Sequence, residues 1–304
     1  MERRVLLTGA RGFIGRAVLP ALVARGFVVH ATCRGNPPSE PDPEVRWHRS
    51  DLHDGPATER LLDLVAPTHL LHLAWLADPG ASYGSMEHLR WVETSVRLLR
   101  AFAASGGQRA VLAGTCAEYD WSYGYCSENV TPTRPGTLYG ASKLALASLG
   151  AALTHEASLS VATGRVFFVY GPREHPRRLV PAIARPLLRG ERAPTSDGEQ
   201  IRDFLPVAEV AGAFAALLDS GVEGPVNIAS GEPVRVREIV ARVADLVGRP
   251  ELVGWGELPR RPEEALVVVG DVRRLREEVG VPRGRAGLDG LDEAVEWWRG
   301  VEGV

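Results

Sequence analysis

The stretch "LLTGARGFIGRAVL", Leu6 to Leu19, decides the fold. An apolar run ends at Thr8, glycines follow at positions 9, 12 and 15, and good helix formers come next. Each glycine has a separate physical task. Gly9 permits a tight turn, Gly12 lets the backbone approach a pyrophosphate, and Gly15 allows the new helix to pack closely on the strand. The unpaired N–H groups and positive dipole end of that helix favour an anion. Such a triplet carries weight only between a strand and a helix, which is where this one stands.

The chain continues as alternating short apolar or β-branched runs and longer helical patterns. "RVLLT" is followed by a helix from Phe13 to Arg25, then "FVVHAT", "VRWHRSD", "THLLHLA", a helix around Leu89 to Ala104, and "RAVLAGT". This alternation predicts βαβ units and an α/β fold with a Rossmann-type, doubly wound parallel sheet. Leu89, Val92, Val96, Leu99 and Phe102 recur at helical spacing and predict one buried stripe on the sheet. After "ATGRVFFVYGP" the chain becomes rich in Pro and Arg, with helices over Val234–Val247 and Leu288–Arg299. The expected organisation is a dinucleotide-binding domain over residues 1–170, with a return segment near 203–228, and a smaller, loop-rich substrate lobe over 171–304. "GNPPSEPDPE", Gly35 to Glu44, reads as a polar loop.

The 304 residues carry a formal charge of −3 with acidic and basic side chains interspersed. That leaves no electrostatic footprint for nucleic acid or an anionic membrane. No apolar run approaches the span of a bilayer, and Met1 leads into "ERRVLLTGARG" without a secretory pattern, so a cytoplasmic protein is expected. Cys33, Cys116 and Cys126 show neither disulfide nor zinc-site spacing, and no metal is expected.

A site selective for NAD carries a carboxylate at the end of the second strand to accept from the adenosine ribose. Here that place reads "ATCRG": Cys33 stands where the acid would be, and Arg34 follows. Arg11 lies inside the glycine turn. Two guanidinium groups suit a 2′-phosphate, so NADP(H) is the preferred cofactor and NAD(H) the alternative. Asp51, in "RSDLHD", is placed to accept from an adenine amino group or to cap a helix.

TGxxGxxG at Thr8–Gly15, "HLAW" at His72–Trp75, Thr115, and YxxxK at Tyr139–Lys143 together resemble the extended short-chain dehydrogenases/reductases of the nucleotide-sugar epimerase, dehydratase and 4-ketoreductase group. "RVFFVYGPR", "GEQIRDFLPVAEVAGAF" and "NIASGEPVRVREIV" extend the resemblance over nearly the whole chain. It implies an NAD(P)-dependent enzyme acting on a nucleotide sugar, with Thr115, Tyr139 and Lys143 catalytic. It also implies cofactor contacts at Gly9, Arg11, Gly12, Phe13, Ile14, Gly15, Arg34, Asp51, Leu52, Leu73, Ala74, Tyr139 and Lys143. The sugar nucleotide falls to Trp75, Tyr83, Cys116, Ala117, Phe168, Arg202 and Arg261. Tyr119, Tyr123 and Tyr125 are further candidates for the sugar pocket.

Hydride delivery to a ketone leaves an alkoxide, and a phenol beside it is the proton donor. Tyr139 and Lys143 at i and i+4 share a helix face, and the ammonium is expected to lower the phenol's pKa. Lys143 is the only lysine of a chain otherwise supplied with arginine. A compact ammonium that also reaches the nicotinamide ribose is not replaced by a planar fork. The group's 4,6-dehydratases carry acid–base side chains at the two positions after the threonine; here they are Cys116 and Ala117. Glu118 comes one place later, and strand alternation would turn it away from Thr115's neighbours, which gives it a structural role or one of supporting the site from behind. Phe168 and Trp91 stand where the group often has asparagine. The expected reaction is NADPH-dependent reduction of a nucleotide-linked 4-keto-6-deoxyhexose, with dTDP the leading nucleotide and GDP or CDP behind it. An NAD-dependent 4-epimerase is the alternative, and a non-catalytic cofactor sensor comes third. A homodimer is expected through the helices carrying Val92, Val96 and Leu99 and Leu144, Leu149 and Leu153.

Overall fold

The computed structural model describes residues 2–39, 42–76, 83–260 and 264–304. In chain order the strands are β1 Arg4–Thr8, β2 Val28–Cys33, β3 Val45–Arg49, β4 His69–His72, β5 Arg109–Thr115, β6 Tyr125–Cys126, β7 Ser160–Val166, β8 Phe168–Tyr170, β9 Ala193–Pro194, β10 Ile201–Pro206, β11 Gly224–Ile228, β12 Pro233–Arg235, β13 Val253–Gly254 and β14 Val267–Gly270. The helices are α1 Phe13–Ala24, α2 Gly55–Val65, α3 Glu87–Ala104, α4 Leu138–Glu156, α5 Leu179–Leu188, α6 Val207–Asp219, α7 Val236–Val247 and α8 Leu291–Glu302.

Seven strands form a parallel sheet in the order β11-β7-β5-β4-β1-β2-β3, so the chain winds outward in both directions from β1 and β4. Its strands are apolar on both faces because both are covered by helices. Val5 and Leu7 of β1 face a core shared with Val18 and Leu22 of α1 and Val210, Phe214 and Leu217 of α6. Leu6, between them, faces Leu61 and Leu62 of α2, Leu98, Leu99 and Phe102 of α3 and Leu146 of α4. One strand thus serves two layers through the two-residue period of its side chains.

The buried stripe of α3 is displaced from the one its spacing predicts. Leu98, Leu99 and Phe102 are buried as expected of that region, but Leu89 is 42% exposed at the open end of the helix. His88, Thr94 and Ser95 occupy buried positions instead, because this end of α3 packs on the polar side chains at the strand ends. Helix boundaries shift by a few residues elsewhere. Pro233–Arg235 is a strand before α7, and α8 begins at Leu291.

The second sheet runs β12-β10-β14-β6, with β8 paired to β10. Helices α5, α7 and α8 close a separate core around Ile183, Leu187, Ile239, Val243, Leu291 and Val295, with Tyr170 and Phe204 at its base. The segment 203–228 divides between the layers: β10 lies in the second sheet, α6 packs with α1, and β11 returns to the edge of the first.

Candidate active site

The glycine turn sits at the C-terminal edge of the large sheet. Gly9 has φ +70°, which a side chain would strain, and a Cβ there would lie 2.7 Å from Ala74 N. A Cβ on Gly15 would lie 2.1 Å from Gly9 O. The turn is closed by Gly12 N donating to Gly9 O at 2.8 Å. The close approach of α1 to β1 is therefore built from glycine backbone alone.

Beside the turn lies a cleft of about 510 Å³, lined by Gly9, Arg11, Gly12, Phe13, Ile14, Gly15, Arg34, Leu52, Leu73 and Ala74 among others. Ten of the residues expected at a dinucleotide thus come together along one surface. Trp75, expected at the sugar, lies on this surface as well. Asp51 is not part of the lining: it is exposed, and its Oδ1 accepts from His53 N at 3.0 Å while Ser50 and Leu52 face the cleft. Cys33 lines the ribose end, with Sγ directed at Gly35 O at 3.2 Å. Arg11 is exposed and donates to Asn36 O at 2.7 Å, closing the loop after β2, and Arg34 is exposed beside it. The cradle accepts a dinucleotide on its own geometry: tight glycine backbone, a helix N-terminus and two guanidinium groups at one end.

A chain of hydrogen bonds fixes the floor. Thr8 Oγ1 meets His72 Nδ1 at 2.7 Å, His72 Nε2 meets Ser95 Oγ at 2.8 Å, and Ser95 Oγ donates to Trp91 O at 2.7 Å. Thr8 Oγ1 also accepts from Ala74 N at 3.2 Å. This chain needs a neutral imidazole with its proton on Nε2. Burial, reinforced by the Lys143 charge, pushes His72 down to about 3 and keeps it neutral.

Tyr139 and Lys143 stand on the first turns of α4, whose start is capped by Thr137 Oγ1 accepting from Gly140 N at 3.1 Å. The Tyr139 hydroxyl hydrogen-bonds Thr115, while Lys143, one turn further along α4, points to the Ala113 carbonyl. The electrostatics differ from the sequence expectation. Burial raises the Tyr139 phenol above its ordinary range, with the Thr115 hydrogen bond pulling the other way. Burial also lowers the Lys143 amine to about 7, against a smaller upward pull from Glu118. The ammonium is turned to Ala113 O at 2.8 Å and to the Trp75 indole, with Nζ 3.9 Å from the ring centroid. Desolvation of both groups outweighs their sharing of a helix face.

β5 ends at Thr115 and the chain turns through Cys116–Glu118. Glu118 is not turned away by strand alternation. It folds back so that Oε1 accepts from Thr115 N at 2.9 Å and Oε2 accepts from Arg165 Nε at 2.7 Å, with no exposure. These contacts make Glu118 structural, for a different geometric reason from the one its spacing suggests. Cys116 is buried, and burial raises its thiol; Ala117 is buried beside it.

Tyr83 is 52% exposed and meets the Tyr139 ring edge-on at 5.7 Å. Arg202 lies on the Phe168 ring at 5.4 Å. It is buried, and its guanidinium donates to Ala265 O at 2.8 Å and Glu264 Oε1 at 3.0 Å. Arg261 lies outside the described residues. Tyr119 is buried core, its hydroxyl donating to Asn227 Oδ1 at 2.8 Å, and Tyr123 and Tyr125 are exposed.

The cleft contains residues that sequence reasoning left unassigned: Thr32, Ser50, Trp91, Ala113, His175 and Arg178. His175 and Arg178 follow the "YGP" turn, whose path back across the cleft no local pattern reveals.

A fold of this kind, with a glycine cradle and a Thr–Tyr–Lys cluster at the strand ends, is that of a dehydrogenase/reductase. The model of the NAD dependent epimerase/dehydratase family matches residues 5–229, and the chain belongs to that family. It is 29% identical to a dTDP-glucose 4,6-dehydratase of Streptomyces griseus, over 98% of this chain and 94% of that one. It is likewise 29% identical to a UDP-glucose 4-epimerase of Streptomyces lividans, over 98% and 96%. Among solved structures, the Thermus thermophilus UDP-glucose 4-epimerase in complex with NAD superposes with a TM-score of 0.85 at 28% identity, covering 98% of this chain and 99% of that one. These relatives are named for their action on nucleotide sugars, and this chain shares their family of NAD-dependent enzymes.

Proposed function

We propose that this enzyme reduces a nucleotide-linked 4-keto-6-deoxyhexose to the alcohol at C-4, with NADPH preferred over NADH. The observation that carries the proposal is the ribose end of the cleft, where the exposed Arg11 and Arg34 line the wall and Cys33 takes the place of an acceptor carboxylate. Guanidinium groups favour a 2′-phosphate through charge-assisted, bidentate hydrogen bonds. When bound, the reduced nicotinamide supplies the hydride. Thr115 orients the sugar oxygen, and Tyr139 gives its proton to the oxygen that becomes negative as the C–H bond forms. Lys143 would hold the nicotinamide ribose when the cofactor binds, and its charge favours the phenolate left behind. Cys116 and Ala117 offer no carboxylate for proton transfer at carbons 5 and 6, which sets the proposal apart from dehydration.

The nucleotide is proposed to be dTDP, with GDP and CDP as the alternatives, and the chain to act in the cytoplasm. No helix among the described residues is long and apolar enough to cross a membrane. Residues 1–170 with the return near 203–228 are proposed as the cofactor domain and 171–304 as the sugar-nucleotide lobe. A homodimer is proposed through α3 and α4, where Val92, Val96, Leu144 and Leu153 are half-buried and Leu149 is exposed; Leu99, expected at the same seam, is instead buried in the core. Light scattering at micromolar concentration tests it.

A second reading, NAD-dependent 4-epimerisation, is favoured by the likeness to 4-epimerases, one of them solved with NAD. It uses the same Thr115, Tyr139 and Lys143. One assay separates the two: enzyme, NADPH and dTDP-4-keto-6-deoxyglucose, then the GDP and CDP analogues, with loss of reduced nicotinamide followed. Consumption of NADPH supports the reductase. Purified protein that carries NAD and interconverts two fully hydroxylated nucleotide sugars without added reductant establishes the epimerase instead.

A further inference from the structure

Trp75 stands three residues beyond the end of β4 and lines the cleft, and its indole makes contacts that converge on Lys143 and Tyr139. Its face receives the Lys143 ammonium at 3.9 Å from the centroid. Its Nε1–H donates to Nδ1 of the fully buried His88 at 3.0 Å, with the two rings nearly parallel at 6.1 Å. The His88 ring in turn lies 5.3 Å from the ring of Tyr139. Behind it Trp91 tilts against Trp75 at 6.0 Å and is itself backed by His53 at 4.6 Å. The indole is thus held from two sides and presents its negative face to the ammonium.

We propose that Trp75 is a positioning residue that seats the Lys143 ammonium between its indole face and the Ala113 carbonyl and, through His88, holds that seat in register with Tyr139. The proposal rests on Lys143 serving the reaction proposed above, but the contact itself needs no substrate. A cation over an indole face is attracted by the ring quadrupole, most strongly where water is excluded. An amine buried here would otherwise lose its charge, since burial already draws it down to about 7. Of the ionisable groups around it, Glu118 favours its charge, His72 stays neutral, and the Tyr139 phenol one turn away is raised by burial and stays neutral too.

The chain's single lysine makes the test direct, because lysine labelled with 13C at Cε gives one resonance whose shift follows Lys143 titration. Replacing Trp75 with Leu removes the quadrupole and keeps an apolar filling. Its expected effect is to lower the midpoint by about half to one and a half pH units, the worth of a cation–π contact at ~1.36 kcal/mol per unit. Trp75→Phe keeps a ring face and retains most of the wild-type midpoint. Global replacement by fluorinated tryptophan weakens the quadrupole without changing shape, and the midpoint then falls stepwise with the number of fluorines. That series covers the case in which the leucine variant fails to fold. In turnover, the pH profile of Trp75→Leu shifts in the same direction, with the loss in kcat and little change in KM. An unmoved midpoint in the leucine variant or the fluorinated series overturns the proposal, as does a Trp75→Phe variant that shifts as far as Trp75→Leu. Because the titration is read without substrate or cofactor, it stands apart from the ketosugar assay. A chain that reduces no ketosugar would fail there and still report on Trp75 here.

Discussion

Glu118 and Arg165 are joined at 2.7 Å in the interior, directly behind the Thr115 backbone. Glu118 occupies both sides of the join: one oxygen holds Arg165, the other holds Thr115 N–H at 2.9 Å. Removing one partner of such a pair leaves the other charged and buried. Glu118→Gln keeps an acceptor for Thr115 and should still cost about 3–5 kcal/mol of stability. Denaturant unfolding measures it. Adding Arg165→Met to the same chain should recover part of the loss, because an apolar pair carries no desolvation penalty.

Tyr139→Phe keeps the ring contacts with Tyr83 and His88 and removes only the hydroxyl that meets Thr115. Turnover should fall at least about a hundredfold, the lower range for a general acid, with unfolding nearly unchanged. Lys143→Arg should be severely impaired as well, since the larger planar group cannot occupy the space between Ala113 O and Trp75. Steady-state kinetics beside thermal melts separate loss of chemistry from loss of fold.

Arg34→Ala should narrow the preference for NADPH over NADH, chiefly by weakening NADPH. The gap to be narrowed is about 1–3 kcal/mol, the worth of hydrogen bonds to a charged group. Binding titrations with both cofactors measure it, and equal affinities in the unsubstituted protein contradict the NADPH preference.

Gly15→Ala places a methyl where Gly9 O already lies at 2.1 Å, and the obstacle is backbone. α1 must move off the turn, so the melting temperature and dinucleotide affinity should fall together. Overpacking of this kind costs about 1–3 kcal/mol. An alanine variant with unchanged affinity would show that the helix can shift without disturbing the cradle.

Three histidines make stability depend on acid. Burial lowers His72 to about 3; burial and then His48 lower His30 to about 4; burial and then Arg3 lower His69 to about 4. The unfolded chain, with ordinary values near 6.5, therefore takes up protons before the folded one. Their contribution is fully present above about pH 6.5 and is lost as pH falls from there toward 4 and below. Melting temperatures from pH 7.5 to 4 should fall through this window, and the fall should be shallower in a His72→Gln variant.

Glycine spacing, strand–helix alternation and the Tyr–Lys interval are properties of neighbours in the chain. They were sufficient to determine the doubly wound sheet, the glycine turn and the shared helix face of Tyr139 and Lys143, because turn geometry and side-chain period act over a few residues. What lies across the cleft was decided by tertiary structure. His175 and Arg178 reach it only because β8 pairs with β10 and directs the following turn back over the glycines. Glu118 finds Arg165 from 47 positions away, and Trp75 meets Lys143 because α4 packs on β5, the strand beside β4. The charges of Tyr139 and Lys143 followed the same division. Their spacing predicts an attraction, but how much water surrounds each group depends on the packing of the whole fold, and here desolvation outweighs proximity.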